Sequence, residues 1–306
     1  MKRVFSISIL AALAAVGSAQ VLIVDSGTVE RVWSFSSFDG TFISDNVIVD
    51  DANNRLATPI KLIDSGRGSY YISDQVNNAV LEYSYGGQFL NTIVSGESNI
   101  RGITINNGFL YVASGGLNSI LRFNADGTNR TVFSNLAQSP WDIFFKGNDI
   151  LVSNSTDNSI TKLDLNGVVQ GQWNVTGGGA TGMFFPQQIV QDGANLLIAG
   201  FSGGPLSGGV PNPLPGLFSY DLNGNQLQYI SSTLGGRGIA RLGNGMILYA
   251  SGTRVVRYDP TTQTHTDMWT GTTANSFRFI TPVPEPGTLA LLGGGLAFLV
   301  RRRKSR

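Results

Sequence analysis

The 306 residues contain no cysteine and a single histidine, His265. Thiolate nucleophiles, disulfides, thiolate metal sites and any two-histidine metal centre are therefore excluded. His265 lies in the threonine-rich run TTQTHT, which reads as a solvated surface position rather than a catalytic base. The chemistry that remains is that of guanidinium, amide, aromatic and carboxylate groups. Its most suggestive pattern is a set of positions each standing two residues before an isoleucine: Thr58, Arg101, Trp141, Gln187, Arg237 and Arg278. Guanidinium groups pair with carboxylates, and an indole packs on apolar ring faces. Brought together, these side chains would form an anion- or sugar-binding ring. The alternative is that the arginines cap backbone carbonyls between neighbouring structural units.

Equivalent positions need equivalent elements to carry them, and the body of the chain is a repeat. The runs RGITINNGFLYVASGGLNSILRFNADGTNRTVF from Arg101, PWDIFFKGNDILVSNSTDNSITKLDLNGVVQGQW from Pro140 and RGIARLGNGMILYASGTRVVRYDPTTQTHTDMW from Arg237 share one grammar. Each reads strand, Asn/Gly turn, strand, polar loop, strand, Asp/Asn-Gly turn, strand. More degenerate copies begin at Pro59 and Pro186, the latter with an insertion, FSGGPLSGGVPNPLPG, over residues 201–216. Four strands recurring about every 40 residues is the period of a β-propeller blade. Strands at Val21–Val24, Glu30–Phe35 and Thr41–Ile43 form a unit lacking its first strand, and Phe277–Thr281 is a lone strand after the last complete unit. The expected fold is thus all-β: a six-bladed propeller of four-stranded blades over residues 20–281, its ring closed by strands from both termini. The Asp126-Gly127, Asn166-Gly167 and Asn223-Gly224 pairs are hairpin turns rather than calcium loops, because none is followed by the bidentate glutamate such a loop requires.

The strand cores, notably Pro140-Trp141-Asp142-Ile143 with Ile150-Leu151-Val152-Ser153 and Asn158-Ser159-Ile160, resemble NHL-type six-bladed propellers. There the phrase P-x-G-I, L-Y-V-A-D, N-x-R-I recurs, and the usual Asp after the second strand is represented here by Ser114, Ser153 and Ser251. The resemblance implies either a binding module or an enzyme. Related hydrolytic propellers similar to gluconolactonases hold a metal with a Glu, Asn and Asp set; Asn154, Asp142 and Asp192 are the residues to consider here, with no match for the first-blade acid. No nucleophile paired with a base is visible, so the sequence points to no catalytic residue and no cofactor.

The ends carry addresses. MKRVFSISILAALAAVGSAQ has the basic, apolar, small-residue order of a secretory signal peptide over residues 1–19, with cleavage after Ala19. Near the other end, GTLALLGGGLAFLV precedes RRRKSR, a short hydrophobic helix with a basic stop that would hold the body outside the membrane. Seven of the 21 Lys and Arg stand at the two ends, leaving 14 in the body against 20 acidic residues, which argues against nucleic-acid binding. Val283-Pro284-Glu285-Pro286, the hydrophobic stretch and the terminal arginines resemble the PEP-CTERM sorting signal over residues 282–306. The resemblance implies recognition of Pro284, Glu285 and Pro286 by an exosortase-type processing enzyme, transient membrane association, and delivery to the surface or extracellular matrix of a Gram-negative-type bacterium. The sequence as a whole therefore suggests a non-enzymatic binding or structural module for an acidic polysaccharide or surface protein. The competing readings are a metal-dependent lactonase-like enzyme and a purely structural matrix protein.

Overall fold

The computed structural model describes residues 19–283 except 52, 54, 136–137, 174–182, 202–205, 208–209, 212–214 and 233–234. In chain order the strands are β1 (Gln20–Asp25), β2 (Arg31–Ser36) and β3 (Phe42–Val49); β4 (Pro59–Asp64), β5 (Ser69–Asp74), β6 (Ala79–Ser84) and β7 (Phe89–Ser95); and β8 (Ile100–Asn106), β9 (Phe109–Ser114), β10 (Ser119–Asn124) and β11 (Thr131–Ser134). There follow β12 (Pro140–Lys146), β13 (Asp149–Asn154), β14 (Ile160–Leu163) and β15 (Val169–Trp173), then β16 (Pro186–Asp192) and β17 (Asn195–Gly200). The insertion contributes a small hairpin, β18 (Leu206–Ser207) and β19 (Val210–Pro211), before β20 (Gly216–Tyr220) and β21 (Gln226–Ser231). The chain ends in β22 (Gly238–Arg241), β23 (Ile247–Ser251), β24 (Arg254–Asp259), β25 (Thr264–Thr270) and β26 (Phe277–Val283).

These strands form six four-stranded antiparallel sheets, which are the blades of a propeller. Blades 2 to 6 are each built from consecutive strands, whereas blade 1 has the order β26-β1-β2-β3. Closure by both termini therefore matches the expectation from sequence, and it hides the edges an open ring would expose. β26 runs two residues beyond the expected Thr281, with Val283 paired to Gln20. The first strand of every blade is innermost: β26, β4, β8, β12, β16 and β22 contact one another in succession and close back on β26.

Apolar burial follows from this stacking. A blade has two faces, each covered by a neighbour, so the second strands such as β5, β9 and β17 are buried at nearly every residue. Six clusters fill the six junctions, for example Ile103, Val112 and Leu121 of blade 3 against Tyr71, Val80 and Val94 of blade 2. The 40-residue recurrence of the last turn also has a packing cause. Gly127 and Gly167 have φ of +83° and +81°, and a side chain on either would run into the carbonyl of Ile93 or Phe133, on the outer strand of the preceding blade. Only glycine meets both demands at no steric cost.

Candidate functional site

Aligning the blades by strand pairing corrects the sequence-derived ring at one position. Ile103, Ile143, Ile189 and Ile239 pair with Val112, Val152, Ile198 and Tyr249, and the residue in their place in blade 2 is Leu62, paired with Ile72. The blade 2 member two residues earlier is thus Ile60 and not Thr58, which lies before β4 and donates its backbone N–H to Asp74. The residues that share this register are Ile60, Arg101, Trp141, Gln187, Arg237 and Arg278, of which Ile60, Arg101, Trp141 and Gln187 are buried. The same alignment moves the residue at the end of the second strand: it is Asp25, Asp74, Ser114, Asn154, Gly200 and Ser251, so blade 4 supplies Asn154 rather than Ser153 and two blades keep the aspartate.

Below the mouth the channel is tied across. Lys61 Nζ reaches Asp142 Oδ1 at 2.6 Å from two blades away. It can do so because blade 3 has Gly102 at this level, where a Cβ would come within 2.8 Å of that same oxygen. Asp142 Oδ2 also accepts from Ile189 N at 3.1 Å. Gln188 does the equivalent on the other side, accepting from Ile239 N and Ile280 N and donating to Ile280 O. Ile60, Trp141 and Phe279 pack together beside these ties. Burial pushes the Asp142 carboxyl up, against the opposing pull of the Lys61 charge and the hydrogen bonds it receives.

The three arginines of the mouth have different surroundings. Arg101 stacks on Trp141 with its guanidinium carbon 4.1 Å from the ring centroid. Its Nη1 donates to Ser139 O, Ser139 Oγ and Pro140 O at 3.0–3.2 Å, and its Nε to Asn99 Oδ1. Arg101 is therefore a clamp between blades 3 and 4, lidded by Gly115. Arg237 instead lies 3.5 Å from the centroid of Phe201, and its buried Nε has no hydrogen-bond partner among the described residues. Arg278 donates its Nε to Ser26 Oγ. Burial pushes Arg237 down to about 9, with the positive charge of Arg278 adding to the effect, and pushes Arg101 and Arg278 down to about 10. All three stay cationic at neutral pH. None of the ion pairs among the described residues involves any of them. Trp141 Nε1 and both amide atoms of the fully buried Gln187 are also without partners among the described residues.

Two residues that sequence reasoning missed connect these groups. Phe185 lies 5.4 Å from Trp141 and 6.0 Å from Phe201, centroid to centroid. The rings thus form an arc, Trp141, Phe185, Phe201, with a guanidinium stacked at each end. Phe185 sits in the left-handed region at φ +53°. Four residues before the aligned isoleucine, the other blades that use this conformation place Asn99, Ser139 and Gly235 there. Asn and Gly tolerate it, whereas a bulky aromatic does not adopt it without strain. Each entry is held alike: Asn78, Asn118 and Asn158 accept from the backbone N–H of Asn99, Ser139 and Phe185. The phenylalanine in a slot suited to asparagine was the available signal, visible only once the blades were in register.

The metal-ligand set considered from the hydrolase resemblance does not assemble. Asp142 is engaged with Lys61, Asn154 donates to Val152 O, Ser159 Oγ and Thr161 Oγ1, and Asp192 pairs with Arg241 at the opposite end of β16. Among the described residues no group of three or more His, Asp or Glu is arranged to hold a metal ion. Pro284, Glu285 and Pro286, the C-terminal hydrophobic stretch and the residues before Ala19 lie outside the described residues. No helix among the described residues is long and apolar enough to cross a membrane.

Residues 282–304 match the family model of the PEP-CTERM protein-sorting motif. The chain carries that motif. The PEP-CTERM motif marks an exported bacterial protein that is anchored in a membrane and then processed by an exosortase. No curated protein matches the chain in sequence. Among solved structures, a chain of a nidogen/laminin complex is 14% identical with a TM-score of 0.67, over 86% of this chain and 98% of that one. A protein of unknown function from Bacteroides caccae is 12% identical, TM-score 0.61, over 88% and 100%. Virginiamycin B lyase from Staphylococcus aureus is 15% identical, TM-score 0.52, over 74% and 71%. At these identities the likeness is one of fold, and one fold hosts many functions.

Proposed function

We propose that this PEP-CTERM propeller is a non-enzymatic binding module of the bacterial surface or extracellular matrix, holding an acidic polysaccharide at its channel mouth. The observation that carries the reading is the Trp141, Phe185, Phe201 arc ending on Arg237, beside Arg278; neither arginine is in a salt bridge among the described residues, and the nearby Asp25 charge acts on Arg278 alone. Aromatic faces accept sugar rings, and adjacent guanidinium groups accept their carboxylates bidentately. The strained Phe185 backbone supports the same reading, since strain of this kind persists where a side chain is needed in place. Arg101, satisfied by neutral carbonyls, serves the arc by fixing Trp141. Cleavage after Ala19 would leave Gln20, the first residue of β1, as the new N-terminus, so that removal of the leader would leave every blade strand intact.

The test is retention of the full-length chain on immobilised polygalacturonate against a neutral dextran support. Replacing both Arg237 and Arg278 by Gln removes two charge-assisted contacts and should weaken retention about a hundredfold, taking roughly 1.5 kcal/mol for each. Unchanged retention of a folded double variant would overturn the proposal.

A further inference from the structure

A second site lies between blades 5 and 6 and shares no residue with the mouth. A cavity of about 220 Å³ is lined by Ser231, Ser232, Tyr249, Ser251, Arg254, Val256, His265 and Asp267. Blade 5 supplies the end of β21 and the residue after it; blade 6 supplies β23, β24 and β25. The floor is buried and polar: Ser232, Tyr249 and Ser251 are all under one-tenth exposed. The walls, Arg254, His265 and Asp267, are open to solvent.

The Ser251 hydroxyl on the floor of this cavity is set apart from its counterparts in other blades. Ser251 occupies the position at the end of the second strand, where other blades tie down a loop. Asp25 accepts from Gly27 N and Ser276 N, Asp74 from Ala57 N and Thr58 N, and Asn154 from Gln138 N, while Ser114 donates to Ser98 O. The Ser251 hydroxyl makes no side-chain hydrogen bond among the described residues, and Ser251 lines the cavity. Tyr249 Oη and His265 Nδ1 are 2.9 Å apart. With the phenol donating, the imidazole turns its Nε2–H outward as a further donor. Arg254 and Asp267 stand 3.5 Å apart across the rim, both more than two-fifths exposed, a loose pair that costs little to open.

We propose that this cavity is a subsite for one neutral hexose unit. Seven of its eight lining residues end in a hydrogen-bonding group, and four of those are hydroxyls that can both donate and accept. An apolar ligand would strand them. Arg254 and Asp267 cancel in charge, and burial lowers the His265 pKa, keeping the ring neutral at neutral pH. An anion would face Asp267 and a cation would face Arg254; a polyol satisfies both. The volume equals that of about seven waters at roughly 30 Å³ each, enough for one sugar ring. The site adjoins the mouth, since Arg237 N donates to Ala250 O at 2.8 Å, next to Ser251. It does not depend on the arginines there.

Saturation-transfer NMR and calorimetry on the full-length chain would test the assignment, with D-glucose, D-galactose, D-mannose and N-acetyl-D-glucosamine as probes and D-glucuronate as the charged control. At least one neutral sugar should saturate with a Kd of about millimolar order. Ser251→Val, which fills the floor, should weaken it about tenfold or more, and His265→Ala, at an exposed position whose ring packs on Tyr249 and Tyr258, about threefold or more in a variant shown to be folded. The Arg237→Gln, Arg278→Gln double variant should bind the same sugar unchanged, which separates this site from the mouth. Absence of saturation by all four sugars, tighter binding of glucuronate, or unaltered binding in both His265→Ala and folded Ser251→Val would each overturn the proposal.

Discussion

Replacing Lys61 by methionine should destabilise the propeller strongly, and in a pH-dependent manner. The Asp142 side chain is fully buried, Lys61 at 2.6 Å is its only cationic partner among the described residues, and Gly102 leaves no side chain of blade 3 to take over. Removing one member of such a pair leaves an uncompensated buried charge at a cost of about 3–5 kcal/mol. At about 2–4 °C per kcal/mol for a domain of this size, the melting temperature should fall by roughly 10 °C. The sign of the pH effect follows from burial, which raises the folded-state pKa of Asp142; loss of Lys61 raises it further. A carboxyl with a raised folded pKa contributes stability at low pH that is lost as pH rises through that pKa. The deficit of Lys61→Met should therefore be largest at neutral pH and shrink towards about pH 4, near the unfolded value. The double variant Lys61→Met, Asp142→Asn removes both charges and keeps an oxygen for the Ile189 N–H. It should come within about 1 kcal/mol of the parent or exceed it. Denaturant titrations of the cycle at two pH values decide the matter. A single-variant cost under about 1 kcal/mol, or a deficit independent of pH, would refute the argument that the channel is dry enough to make this pair matter.

Three other outcomes are expected. Phe185→Asn relieves a left-handed aromatic worth about 1–2 kcal/mol while losing two ring contacts of about 0.5–1.5 kcal/mol each, so the melting temperature should stay within about 3 °C. Retention on polygalacturonate should nevertheless fall; a variant that binds as before shows the arc to be packing alone. Asp25→Ala strips the acceptor of Gly27 N, Trp33 Nε1, Asn275 Nδ2 and Ser276 N at the closure of the ring and should cost about 4 kcal/mol or more in a denaturant titration, given roughly 1–3 kcal/mol for each orphaned donor. Intact-mass measurement of protein from the native cell surface should show residues 1–19 removed; a full-length cytosolic species would contradict the export reading.

Much of the architecture could be read from residues alone because its determinants are local. Alternating apolar runs, the Asn/Asp-Gly turns and their 40-residue recurrence specify blades, and the unmatched strands at Val21–Val24 and Phe277–Thr281 require each other. The terminal sorting signal is likewise a contiguous pattern, Pro284-Glu285-Pro286 before an apolar run and arginines. What pattern could not fix is register. The run Pro59-Ile60-Lys61-Leu62-Ile63 offers more than one apolar residue to align, and a slip of two keeps every side chain on the same face. Hydrophobicity is blind to that slip; the pairing of Leu62 with Ile72, beyond the bulge at Pro59 and Lys61, decides it. Phe185 and Phe201 belong to loops, Ser232 follows β21 of blade 5, and Tyr249 and His265 belong to two strands of blade 6. Their meeting depends on the angle at which successive blades are packed around the channel. Strand and turn propensities act over a few residues and are written in the chain; the distance from Phe201 to Arg237, or from Lys61 to Asp142, is set by closure of the whole ring.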